Sequence, residues 1–409
     1  MKRLPFPPAA GALVLEGLLS RLSFGLISFA LPLYARRLGF SLSEIGLLVA
    51  LNTGVSVAVK PLMGALADRV GLKRTLLAGI GLRSVVSGLL ALAAAPWHLY
   101  AIRSVHGLSM SLRDPSVNAL IAEAGGEKQV ASAFAWYQTA KTLAGQLSKS
   151  VAGFLLALSG ANFGVVFLAA FVLSVLPALV VARFVPSDGR RTAAPQPEQD
   201  SAPTASHVVP FMGLGFLIRA TADMLDGLVP IIAIEYAGLT EAQTGLVYTV
   251  ASIVLVVASP VFGWLADRVG NRLVLSIRGA ANALSSALYL VAPGFAGVLA
   301  AKAMDDLGKA AYRPAWGALM ARLSSFDRRT RARTISFLTV GEDLGSILAP
   351  VLAGVLWSTW GIGVAMTARI GLALVTEAYA VVVVGRRSDL RRESISSVSG
   401  SHQSASRLT

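Results

Sequence analysis

Twenty-two charged side chains of this 409-residue chain fall inside stretches that are otherwise apolar, and its chemistry is concentrated in them. Thirteen are basic: Arg21, Lys60, Arg83, Arg103, Arg113, Lys141, Lys149, Arg219, Arg278, Lys302, Lys309, Arg313 and Arg369. Nine are acidic: Glu16, Asp114, Asp223, Asp226, Asp305, Asp306, Glu342, Asp343 and Glu377. The planar fork of an arginine grips a carboxylate or phosphate at two points. Arg21 and Arg219 lie 198 residues apart, each 11 residues before a proline (Pro32 and Pro230), so a clamp on one anion is one reading of the pair. The other reading leaves Arg219 neutralised by Asp223, and Arg21 by Glu16 or another acid. Arg103 and Lys302 are further basic groups for binding. Arg219, Asp223 and Asp226 share one helical face, and Lys302, Asp305, Asp306, Lys309 and Arg313 step by threes and fours along another. Arg103, His106, Met110, Arg113 and Asn118 run down a third. Burial raises a carboxyl pKa and a nearby arginine lowers it, so moving the arginine admits or releases a proton. Glu16, Asp223, Asp226, Asp305, Asp306, Glu342 and Asp343 are the candidates for that role.

The elements that position these groups are membrane helices. Only 14% of residues are charged and 55% are hydrophobic, against roughly 25% charged in water-soluble domains. Crossing the hydrocarbon takes about 20 mostly apolar residues. Twelve such spans are expected: 10–35, 45–67, 75–95, 98–122, 130–158, 161–184, 208–236, 243–266, 272–293, 295–322, 331–357 and 361–384. A lipid-facing charge at mid-membrane costs roughly 2.5–3.5 kcal/mol even on the insertion scale, so most of the 22 must line a wet cavity, pair or snorkel. The chain has no cysteine, which excludes disulfides, thiolate metal sites and cysteine nucleophiles. Four histidines without an HExxH pair offer little to a metal, so neither a metal nor a cofactor is expected. No GxxxxGK[ST] loop is present to drive an ATP-dependent pump, and no nucleophile–base constellation suggests an enzyme.

The polar stretch from Arg183 to His207 splits the spans six and six. The expected organisation is a six-helix bundle over 1–184, a linker over 185–207, a second bundle over 208–384, and a basic, then Ser-rich, unstructured tail over 385–409. With both termini on one side, 21 basic residues fall in loops and ends on that side and two, Arg36 and Arg37, on the other. The positive-inside rule then makes the termini cytoplasmic, in a plasma membrane that is the inner membrane if the source is bacterial. The same asymmetry explains most of the formal charge of +14 without any nucleic acid. The halves also repeat. GALADRVG (64–71) parallels GWLADRVG (263–270), RDPSVNALIAE (113–123) parallels YRPAWGALMAR (312–322), and AGQLSKSVAGFL (144–155) parallels GSILAPVLAGVL (345–356).

GALADRVGLKR (64–74) and its echo GWLADRVGNR (263–272) resemble the loop signature of the major facilitator superfamily, and Arg103-Ser-Val-His-Gly107 resembles its second motif. The resemblance covers the chain from the first span to the last. It implies an all-α integral membrane fold of twelve helices in two pseudo-symmetric halves, with spans 1, 4, 7 and 10 lining a central cavity. It further implies a gate at the cytoplasmic mouth built on Gly64, Asp68, Arg69, Gly71, Arg74 and Arg113 and on Gly263, Asp267, Arg268 and Gly270. In that gate the glycines let helices approach and turn, and the Asp–Arg latches hold the outward-open state. It makes Arg103 the expected partner of a proton-coupling acid. Paired arginines on spans 1 and 7 resemble those of organophosphate:phosphate exchangers. Span 5 reads AKTLAGQLSKSVAGFL (140–155), without the Gly/Pro-rich motif usual in the family's drug–proton antiporters.

The function these features imply is secondary active transport of a small organic solute by alternating access, coupled to a proton. The membrane charge balance of +4 leans toward an anionic or zwitterionic solute. The expected partners are that solute, the lipid bilayer and a proton or counter-ion, with the chain working as a monomer. The alternatives are a proton-driven multidrug exporter, a lysolipid flippase opening sideways to the bilayer, and a non-transporting receptor that tolerates neutralised cavity charges.

Overall fold

In hydrocarbon a backbone must satisfy its own N–H and C=O groups, so apolar stretches of this length fold as helices. The structure, a computed structural model, describes residues 8–186, 205–269, 271–324 and 331–405, and among these the regular structure is helical throughout. The helices are α1 (Pro8–Arg37), α2 (Leu42–Val70), α3 (Leu72–Leu92), α4 (Pro96–Leu158), α5 (Phe163–Phe184), α6 (Ala205–Asp223), α7 (Val229–Ile231), a π-helical turn (Ile232–Tyr236), α8 (Glu241–Arg268), α9 (Asn271–Val291), α10 (Phe295–Ser324), α11 (Arg331–Trp360) and α12 (Ile362–Ala405). Seven of them, α1, α2, α3, α5, α8, α11 and α12, contain spans long and apolar enough to cross a membrane. The two arms of α4, the broken α6–α7 helix, α9 and α10 supply the other five of the expected twelve. The backbone of α12 runs on to Ala405, so much of the tail expected to be unstructured continues that helix. Residues 187–204 of the linker lie outside the described residues.

Two elements differ from the sequence expectation. Spans 4 and 5 are joined without a break in helical hydrogen bonding. Drawn straight, the 63 residues of α4 would reach about 95 Å. Yet an Arg113 Nη donates to the Tyr137 hydroxyl at 3.0 Å, two residues that a straight helix would hold about 36 Å apart. The chain therefore doubles back between them, giving one arm over 96–124 and another over 132–158. Span 7, expected as one helix, is interrupted. After Asp223 the chain turns through residues 224–228, with Gly227 at φ +80, and resumes as α7 and the π-helical turn.

The helices pack as two sets, α1–α5 and α6–α12, joined chiefly by α2 on α11 and the second arm of α4 on α8. Burial shows how the sets meet. At the end carrying the termini there are two separate apolar cores, one from α1–α5 (Leu13, Leu76, Ile121, Val181) and one from α6 and α8–α12 (Leu214, Phe262, Val274, Leu338). At the far end a single core runs through both sets (Phe29, Leu48, Leu156, Tyr248, Tyr289, Met366). The halves are thus closed at the far end and parted at the terminal end.

Local chemistry fixes the closed end. Ser41 and Thr240 start α2 and α8 with capping boxes completed by Glu44 and Gln243, satisfying first-turn amides. The Ser41 N–H and hydroxyl hold the Glu44 carboxyl below its usual range. Gly153 meets Gly245 across the halves, where an added Cβ would stand 2.6 Å from the Glu241 carbonyl oxygen and 2.7 Å from the Gly245 Cα. Over the mouth of this seam Arg36 forks onto Glu235, its Nε at 2.9 and 3.0 Å and an Nη at 2.9 Å from the carboxylate oxygens. This contact raises the Arg36 pKa above its ordinary value.

Candidate functional site

The interior charges sort into three groups. In the first half, Arg113 on α4 grips Glu16 on α1 through two parallel bonds of 2.9 Å. It also contacts Asp114 at 3.0 Å and Tyr137, and Ser20 donates to Glu16 at 2.8 Å. The Arg113 and Glu16 side chains are 3% and 0% exposed, so this pair is buried and internally satisfied. In this conformation Arg113 is held by Glu16 inside one half. The proximity of Glu16 and Arg21 in sequence suggested a different pairing. The two arms of α4 bring Arg113 and Tyr137 to Glu16 from across the fold instead.

Between the halves, Lys60 approaches Asp343 at 3.5 Å and Lys149 approaches Asp226 at 3.6 Å. Gln146 donates to Asp306 at 2.7 Å. Gln146, Lys149, Asp226, Tyr248, Lys302, Asp305 and Lys309 line a small cavity of about 40 Å³. Asp226 reaches it because span 7 breaks there, and a discontinuous helix placing polar groups at a midplane site is a recurrent transporter device. The break was readable in Asp226-Gly227 followed by Pro230, a turn dipeptide before a helix-starting proline. Lys60 and Lys149, not among the expected binding residues, carry two of the cross-half contacts.

In the second half, Lys302 lies 2.5 Å from Asp306 and 3.7 Å from Asp305. Lys309 lies 2.9 Å from Asp305, and Arg369 also binds Asp305 while donating to Ser286 at 3.2 Å and to the Thr221 carbonyl at 3.0 Å. The expected stripe on α10 is thus real, but most of it is spent internally. Arg278 pairs with Glu377 at 2.9 Å. The contributions of Arg369 and Glu377 come from α12, which carried no periodic signal.

The two arginines of the expected clamp have different direct partners. Arg219 pairs with Asp223 at 2.9 Å, and Ser346 accepts from Arg219 and donates to Asp223 at 2.6 Å. Arg21 instead lies over the Phe24 ring at 4.7 Å and, among the described residues, has no carboxylate partner. Arg103 meets no acid among the described residues either. It donates to the Leu48 and Val49 carbonyls and to Asn52, and meets His106 Nδ1 at 3.4 Å. Lys141 lies over the Tyr137 ring at 4.9 Å. Glu342 on α11 makes no ion pair among the described residues; it accepts the Tyr312 hydroxyl at 2.6 Å.

The loop residues stand apart from all of this. Asp68, Arg69 and Arg74 are exposed, and among the described residues Asp68 makes no ion pair. Added Cβ atoms at Gly64 and Gly263 would meet open space, so neither glycine serves a close approach in this conformation. Gly71, at φ +104, makes the turn from α2 into α3, as expected. Arg268 is exposed over Trp264 at 4.9 Å. The Asp267 side chain and Gly270 lie outside the described residues.

The comparisons with known proteins converge. The chain is similar to a multidrug resistance protein, MdtG, of Erwinia billingiae (strain Eb661), 26% identical over 91% of this chain and 92% of that protein. It is also similar to multidrug resistance protein 2 of Bacillus subtilis (strain 168), 22% identical over 82% and 85% of the two chains. Its fold matches a bacterial homologue of the human lysosomal transporter Spinster, solved inward-facing and occupied, with a TM-score of 0.71 at 16% identity over 92% of this chain and 96% of that one. A family model matches residues 13–218 and again residues 211–406, once per half. This multi-pass membrane protein belongs to the Major Facilitator Superfamily.

Proposed function

We propose that the protein is a proton-coupled secondary transporter that carries a small anionic or zwitterionic solute by alternating access. One observation carries the reading: a single core joins the halves at the far end, while two separate cores flank an opening at the terminal end. A charged cavity sits at the boundary between the two regimes. With the termini cytoplasmic, as the loop charges imply, this is an inward-facing conformation. The exposed Asp68, without an ion pair among the described residues, fits that state, since a latch that holds the outward-open form is released in it. Opening the other way requires parting the far-end seam, where Arg36 meets Glu235 and Gly153 meets Gly245, and re-forming it after solute release. Glu342 is the favoured proton carrier, because protonating it breaks no ion pair.

The similarity to MdtG supports a second reading, proton-driven export of drugs. Purified protein in liposomes separates them. Accumulation of carboxylate or phosphate solutes driven by an imposed proton gradient supports the first reading. Gradient-driven movement of lipophilic cations, with no movement of anions, replaces it with the second.

A further inference from the structure

The surplus positive charge of the membrane interior is confined to one half. Spans 1 to 6 hold seven basic residues (Arg21, Lys60, Arg83, Arg103, Arg113, Lys141 and Lys149) against two acids, Glu16 and Asp114. Both acids bind Arg113. Lys60 and Lys149 borrow Asp343 and Asp226 from the other half. Arg103 is satisfied by carbonyls and Asn52. That leaves Lys141, which lies over the Tyr137 ring, and Arg21 on α1 and Arg83 on α3, which converge on another ring. Their guanidinium carbons lie 4.7 and 5.6 Å from the centre of Phe24. His106, on the first arm of α4, lies against the same ring with centroids 5.1 Å apart.

Two of these groups hold a buried, unmatched nitrogen, although His106 also meets an Arg103 Nη through its Nδ1 at 3.4 Å. Arg83 is 7% exposed and its Nε is buried without a partner; His106 is 1% exposed and its Nε2 is likewise unmatched. Burying an uncompensated cation costs more than a cation–π contact returns. A small oxyanion among the three side chains would supply the missing charge and the missing acceptors together. Arg21 is only partly buried, so it offers the way in.

We propose that Arg21, Arg83 and His106, gathered on Phe24 between α1, α3 and the first arm of α4, form a binding site for a carboxylate or phosphate group. This deepens the transporter reading by placing the solute's anionic head within the first half, in place of a clamp shared with Arg219. The same chemistry also suits a free inorganic anion held as a fixed part of the fold, and the experiment separates the two.

The probes are inorganic phosphate and acetate, with the full chain in detergent and unfolding followed against anion concentration. The wild type is expected to gain thermal stability with the logarithm of anion concentration. Arg83→Gln is expected to lose the response at least tenfold in apparent Kd, and Arg83→Lys to keep part of it. Without anion, Arg83→Gln is expected to be at least as stable as the wild type, because it removes an unmatched buried charge. The two curves then cross as anion is added. Arg219→Gln should respond as the wild type does. Equal responses from wild type and Arg83→Gln, or loss through Arg219→Gln alone, overturn the proposal. A destabilised Arg83→Gln in anion-free buffer also overturns it, since that marks a structural arginine already satisfied. Solute counterflow in liposomes is the separate arm. Arg83→Gln abolishing both binding and counterflow identifies the anion as the solute's head; lost binding with counterflow retained identifies a fixed ion. Wild-type binding without any counterflow refutes the transporter reading and leaves the anion site standing.

Discussion

At the scale of single residues, the interior charges divide into those that hold the fold and those that are free to act. Arg113 and Glu16 belong to the first kind. Removing one partner of a buried ion pair strands the other and costs about 3–5 kcal/mol, so Arg113→Ala should lower the unfolding temperature in detergent strongly. The double variant Glu16→Gln/Arg113→Gln strands only Asp114, whose side chain is 35% exposed, and should recover much of that loss. An Arg113→Ala protein as stable as the wild type would show that the pair is not the buried contact described. Glu342 belongs to the second kind. Glu342→Gln keeps the shape and the Tyr312 contact but cannot titrate. It should retain solute binding and counterflow while losing gradient-driven accumulation, measured in the same liposomes. Accumulation preserved in Glu342→Gln would move the proton to another acid.

At the scale of elements, the halves move only as far as their seams permit. Gly153 and Gly245 bring α4 and α8 into backbone contact at the far end. A side chain there forces the helices apart, so Gly153→Val should favour the opposite opening. Because the chain lacks cysteine, a single introduced Ser43→Cys gives a clean report. Its labelling by a membrane-impermeant reagent added from the far side should rise several-fold in Gly153→Val, and unchanged labelling would count against the seam. The periodic, apolar elements were legible in the sequence: the spans, the split near residue 185 and the repeat all follow from hydropathy and spacing. The reversal within α4 was legible too, as two spans parted by Gly125-Gly126, but the helical hydrogen bonding that continues through the bend was not. The pairing of the charges was legible only where partners share a face, as Arg219 and Asp223 do. Arg113 with Glu16 and Arg369 with Asp305 join residues 97 and 64 positions apart, and sequence spacing carries no information at that range.

At the scale of the whole molecule, the prediction concerns distance. Spin labels on Leu66→Cys in α2 and Trp264→Cys in α8, at the parted end, should read a broad, long separation in the resting protein. That separation should shorten when solute and a low pH drive the halves over, while a pair at Ser43 and Ser358 in the closed seam should lengthen. Both pairs staying fixed would describe a rigid receptor and not a transporter. The outer fork of Arg36 on Glu235 adds one consequence. Its side chains are 35% and 37% exposed, so the contact contributes at most about 1 kcal/mol and is screened by dissolved ions. That is roughly a fivefold bias between the two openings, and it fades as ionic strength rises. The salinity of the medium bathing the far face therefore sets part of the resting balance, with dilute surroundings holding that face shut and brine loosening it.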